Sequence, residues 1–199
     1  MPWSVIVFFI GVAGGVWWWT HDRPISQPPG IVAPEEPLQE NLEPPPRFEA
    51  NGYTFYKRAH YDITARVLRR ENYHIDGGAN LAPVDLAVGW GPLSDSAVID
   101  QLEITQMGRF FFWKPKDPQR MPVPFGTMIT HAAQMHIIPS TREIESRVKR
   151  LHPGQVITIE GYLVDIRGPQ GFTWNTSLTR NDTGAGACEI VWVESLRVR

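Results

Sequence analysis

The sequence predicts a mainly β fold, a small and partly open barrel with one clear α-helix, and three observations carry that expectation. Apolar and polar residues alternate from Tyr53 to Val67. A second alternating run, Val156 to Ile166, is interrupted by Gly161. Turn-forming clusters such as Asp76-Gly77-Gly78-Ala79-Asn80 and Gly168-Pro169-Gln170-Gly171 separate the runs. The folded domain is expected over 48–199, behind an apolar segment at 1–20 and a proline-rich linker at 21–47.

The segment Trp3 to Thr20 carries no charge. At a rise of about 1.5 Å per residue it is just long enough to cross a hydrocarbon core of about 30 Å, with Trp3 and Trp17 to Trp19 at the two interfaces. It reads as a single-pass transmembrane helix. A cleaved signal peptide is the rival reading, because Ala13, Gly14 and Gly15 are small, but no Lys or Arg precedes the run and three tryptophans follow those small residues. A short N-terminal tail normally stays inside, so the domain is expected on the exported side. From His21 to Arg47, Pro24, Pro28, Pro29, Pro34, Pro37 and Pro44 to Pro46 stand among acidic residues with few large apolar ones. Such a stretch is expected to be a disordered, extended stalk, with a docking strip centred on Pro44 to Pro46 as the alternative.

Within the domain, Tyr53, Phe55, Ala59, Tyr61, Ile63, Ala65 and Val67 form one phase of a strand or bent pair of strands, with Lys57 interrupting. Leu81 to Asp95 is broken up by Gly89, Gly91 and Pro92 around Trp90. Ser96 to Leu102 suggests a short helix, and Leu102 to Trp113 a hairpin turning at Met107-Gly108. The clear helix, about 140–151, is expected to start from a capping box of Ser140 and Glu143 and to stop at Pro153-Gly154, burying Ile144, Val148 and Leu151. In the run that follows, the apolar phase shifts from Ile157 and Ile159 to Tyr162, Val164 and Ile166, which predicts a bulge or sharp bend at Gly161. A last strand is expected over Ala187 to Val198, with Cys188, Ile190, Trp192 and Leu196 on one phase.

Charge and cysteine content exclude some functions. The chain has 19 basic and 21 acidic residues. Only Arg23 and Arg47 among the former precede Phe48, against Asp22, Glu35, Glu36, Glu40 and Glu43, so the domain is nearly neutral. Nucleic acid is not an expected partner, since phosphate binding needs a clear excess of Lys and Arg. The single cysteine, Cys188, excludes an intramolecular disulfide.

The run Leu151 to Val164, LHPGQVITIEGYLV, resembles strands of OB-like small barrels, a fold that hosts many unrelated functions. The strings Gly89-Trp90-Gly91-Pro92, Met135-His136-Ile137-Ile138-Pro139 and Asp182 to Glu189 are similar to strings in uncharacterised bacterial proteins with an N-terminal anchor. That resemblance implies a bacterial envelope setting, with the span in the inner membrane and the domain in the periplasm; it implies no reaction.

Candidate catalytic residues are Cys188, which follows a glycine-rich turn, with His131 or His136 as its base. Cysteine transpeptidases of the bacterial cell wall also pair a histidine with a glycine-flanked cysteine, but their histidine-glycine element and following arginine are missing here. A buried core cysteine is the structural alternative. A separation of five residues points the two histidines opposite ways on a strand, so neither a metal nor a cofactor is expected. Trp90, Arg180 and Asp182 are the candidate ligand-binding residues, although Arg180, Asp182 and Ser177 also suit turn formation. The expected function is a membrane-anchored, envelope-exposed binding or assembly module. Its expected partners are the membrane, through Trp3 to Thr20, and an envelope protein; the alternative is an anchored Cys-His hydrolase or transferase acting on an envelope substrate.

Overall fold

The computed structural model describes residues 23–75, 78–181, 184 and 186–199. The span expected at 1–20 lies outside them, and no helix among the described residues is long and apolar enough to cross a membrane. The strands are β1 (Leu38–Asn41), β2 (Arg47–Ala50), β3 (Tyr53–Asn72), β4 (Val84–Gly89), β5 (Leu102–Met107), β6 (Phe110–Pro115), β7 (Ala132–Pro139), β8 (Val156–Arg167), β9 (Thr173–Trp174) and β10 (Glu189–Val198). The helices are α1 (Ser96–Ile99), α2 (Phe125–Thr130) and α3 (Arg142–Val148).

The mainly β expectation holds, and the main sheet is partly closed. β3 pairs antiparallel with β4 and β4 with β7; β7 runs parallel to β10, β10 antiparallel to β8, and β8 pairs back onto β3. β1 and β2 add to β3, β9 adds to β8, and β5 with β6 forms a separate two-stranded hairpin. β4 was not legible as a strand because all six residues, Val-Asp-Leu-Ala-Val-Gly, are buried, so no alternation marks it.

Apolar residues pack on both faces of this sheet. Ala59, Tyr61, Ile63, Leu86, Val88, Met135, Ile137, Ile157, Ile159, Leu163, Val191 and Val193 fill the interior. Phe55, Ile138, Val164, Ile166 and Ile190 lie on the outer face, beneath Phe48, Tyr162, Trp174 and Trp192. The phase shift seen in β8 is therefore no flip of the strand. Ile157, Ile159 and Leu163 keep one phase, and Val164 and Ile166 belong to the second cluster. The register breaks lie instead on its two neighbours, between Lys57 and Ala59 in β3 and between Val193 and Ser195 in β10. Gly161 matters for a different reason. A Cβ there would stand 2.0 Å from the Trp192 carbonyl oxygen, so the bare backbone lets β10 pass at its bulge.

The helix expected at about 140–151 is shorter and starts later. Thr141 is its cap, its hydroxyl accepting from the Ile144 N–H at 3.2 Å, while the Ser140 N–H is drawn to the Val193 carbonyl. The linker expectation at 21–47 also changes over the described residues. The Ile25 N–H donates to the Pro153 carbonyl at 2.7 Å, Val32 and Ala33 donate to the Ser94 hydroxyl, and β1 pairs with Ala59 to Asp62. Ala33 is fully buried. Prolines keep this segment from helix, but its free donors still find acceptors on the domain, so it forms a strap and not a stalk.

Candidate functional site

The candidate site lies where β7 and β10 begin. The hairpin β5–β6 turns at Gly108 and Arg109, one residue later than the sequence suggested. Arg109 adopts φ +67°, an uncommon conformation for a residue with a side chain, and contacts to Asp85, Ala82 and Tyr73 hold it there. Its guanidinium donates to Asp85 Oδ1 at 3.1 Å and to the Ala82 carbonyl at 3.2 Å, and stacks on Tyr73 at 4.1 Å. Asp85 is completely buried and also accepts from Gln134 Nε2 and meets His136 Nδ1 at 2.9 Å. This cluster fastens the hairpin tip to the outer face of β4 and β7.

Between the hairpin and Thr179, Arg180, Ala187, Cys188 and Glu189 lies a cavity of about 290 Å³. Phe110 to Trp113 form one wall, and Met128, Ala132, Ala133 and Gln134 another. Its polar end is made by Trp90, Arg180, Cys188 and Glu189. The Arg180 guanidinium lies 5.9 Å from the Trp90 ring centroid and 5.7 Å from that of Tyr61. It is held by the strap, donating to the Pro37 carbonyl at 3.3 Å and to Gln39 Oε1 at 3.4 Å. Trp90 is 1% exposed, and its Nε1–H has no hydrogen-bond partner among the described residues. Burial, and then the Glu189 carboxylate, push the Tyr61 phenol above its ordinary value, while Arg180 pulls it back; it stays protonated at neutral pH.

The structure thus brings Trp90, Arg180 and Cys188 to one cavity. Asp182 lies outside the described residues. His131 packs beside Trp90, with ring centroids 6.3 Å apart, but its Nδ1 is engaged by the Thr130 hydroxyl at 2.9 Å and the Thr127 carbonyl at 3.2 Å. His136 faces the outer side of β7, bonded to Asp85 and packed against Trp174. Cys188 precedes β10 and is half-buried, whereas the sequence placed it inside the last strand. Among the described residues no three His, Cys, Asp or Glu side chains are arranged to hold a metal.

No match names this site. Neither a family model, a curated protein nor a solved structure matches the chain. Sequence reasoning missed Glu189, Gln134 and the Phe110 to Trp113 wall. The aromatic run was visible as a strand arm, but nothing local says that its edge faces a cavity. A second hollow of about 380 Å³ between β1, β3, β8 and β10 collects Glu40, Asp62, Glu160 and Glu194, and none of the candidate residues is among its described lining.

Proposed function

We propose that this chain is a membrane-anchored, envelope-exposed binding module of OB-like architecture, with its site in the cavity between the β5–β6 hairpin and Arg180, Cys188 and Glu189. The observation that carries the reading is the cavity's composition: aromatic walls with a small convergent set of polar groups, Arg180, the Trp90 indole N–H and Glu189, at one end. This is the usual make-up of a ligand site, in which apolar area supplies affinity and a few polar groups fix orientation. The OB-like assignment is supported by the strand order, in which β3, β4, β7, β10 and β8 follow one another round the sheet with β7 parallel to β10. The anchor rests on the uncharged run Trp3 to Thr20, and the envelope setting on the sequence resemblance.

An anchored Cys-His hydrolase or transferase is the second reading, favoured by Cys188 in the cavity wall. Against it stand the two histidines, one turned to its own helix and the other to Asp85. The experiment is a fragment screen on the full-length protein followed by amide and indole NMR shifts. Binding reads out as shifts centred on Trp90, Trp113 and Arg180, abolished when Ala187→Phe fills the cavity; shifts confined to other surfaces overturn the site. Cys188→Ser should leave such binding within about twofold, as expected of a small change in one wall contact. A variant that binds normally yet fails to complement a deletion strain would favour the enzyme.

A further inference from the structure

The cavity is bordered by four consecutive residues of β6, Phe110, Phe111, Phe112 and Trp113. A strand face presents alternate residues, so an unbroken run means that an edge faces the cavity. The hairpin is two-stranded, and β5 occupies the other side of β6. In a hairpin with a two-residue turn, the residues flanking the turn exchange both main-chain hydrogen bonds, and such pairs recur at every second position. Met107 with Phe110, Thr105 with Phe112 and Glu103 with Lys114 are therefore the bonded pairs, and the main-chain N–H and C=O groups of Phe111 and Trp113 point to the free edge. Across the cavity, β7 begins at Ala132, but β10 pairs with it only from Met135. The first residues of β7 thus have β4 on one side and the cavity on the other.

The chemistry at the polar end limits what enters. The buried Glu189 carboxylate shares this end, and Arg180, whose hydrogen bonds go to the neutral oxygens of Pro37 and Gln39, is a cation on the lining. The buried Trp90 Nε1–H is a second donor beside it. Edge strands normally carry charge, proline or a cover over exposed main-chain groups, and β6 carries neither charge nor proline between Phe110 and Trp113.

We propose that the ligand is an extended peptide bearing a carboxylate. It adds a strand to the β6 edge through Phe111 and Trp113, inserts one apolar side chain between the aromatic wall and Met128, and sets its carboxylate on Arg180 and the Trp90 N–H. This rests on the cavity being the binding site. The carboxylate belongs to a chain terminus or to an acidic side chain, which the test separates.

The test uses full-length protein in detergent and an array of random hexapeptides made in free-acid and amidated forms. Selected peptides should slow hydrogen exchange at the Phe111 and Trp113 amides. N-methylation at alternate peptide positions should weaken binding about tenfold, the cost of losing main-chain hydrogen bonds. Amidation should weaken it similarly if the terminus is read, and an internal Asp→Asn change should do so if a side chain is. Arg180→Gln should erase the preference for the acid form, and Arg180→Lys should keep part of it. Peptides that bind without protecting Phe111 and Trp113, or that tolerate every N-methyl group, overturn the strand addition. Insensitivity to both carboxylate changes overturns the carboxylate. Apolar fragments that bind where no peptide does would leave the cavity as a site and remove the peptide, whereas failure of both removes the site itself.

Discussion

Gly161 shows how one missing side chain can set the path of two strands. The bulge at Glu194 pushes the β10 backbone toward β8, and the Trp192 carbonyl comes to rest where a Cβ would be. Gly161→Val should therefore destabilise the protein by about 3 kcal/mol, from overpacking against backbone that has no rotamer to yield. An unchanged melting temperature would remove this account. Asp95 acts at the same scale on the strap. Its carboxylate accepts the Gly30 N–H and the Ala97 N–H, both at 2.8 Å, and those bonds, Gly30's first, hold its pKa below the ordinary value. The stabilisation is thus fully present above the carboxyl group's unfolded pKa and is lost as pH falls through the lower folded one. Wild type and Asp95→Asn should differ in melting temperature at neutral pH and converge in acid; a constant gap would show that the charge contributes nothing.

At the scale of elements, the β5–β6 hairpin is the part least covered by the sheet, and its position depends on Arg109. Removing this guanidinium leaves Asp85, which is completely buried, with His136 and Gln134 as its remaining partners. Arg109→Ala should cost about 3 kcal/mol, as for a buried ion pair that loses one member. The hairpin tip should loosen with it, and the cavity beneath should open. Faster hydrogen exchange across 102–115, with β8 unaffected, is the expected pattern. Uniform acceleration over both would mean that Arg109 supports the whole fold and not the hairpin in particular. The outward face of the hairpin shows Met107, Phe110 and Phe112, with Glu103 and Lys114 paired 3.1 Å apart at its base.

For the molecule as a whole, the strap matters most. Residues 23–41 run past Gly154, Ser96, Asp95 and Ser94, bury Ala33 under the loop that carries Trp90, and then pair as β1 with β3. Gly154, at φ +94°, would place a Cβ 1.9 Å from the Ile25 carbonyl oxygen, so strap and domain fit without room for a side chain. The strap also supplies both acceptors that hold Arg180 in the site. A chain beginning at Phe48 should accordingly melt at least about 4–8 °C lower, the effect of losing about 2 kcal/mol in a protein this size, and should bind more weakly at the cavity. Limited proteolysis should spare 23–41 in the intact protein. Rapid cleavage there, with no change in the melting temperature of the shortened chain, would restore the picture of a passive stalk.

Local pattern was enough wherever one stretch of chain carries its own signal. Alternation marked β3, β8 and β10, and the turn residues placed the hairpin to within one residue, because periodicity and fixed φ angles are properties of neighbouring residues. Composition alone made the domain nearly neutral and excluded a disulfide. Tertiary structure decided what depends on residues far apart. β4 has no alternation because both of its faces are covered. The proline-rich strap is ordered by acceptors at Pro153, Ser94 and β3 that its own sequence cannot reveal. Trp90 stands far from Arg180 and Cys188 in the sequence, and only the closing of β8 onto β3 and the folding back of the hairpin set them around one cavity with Glu189 and the β6 edge. A cavity belongs to no segment; it is the space left when distant segments pack.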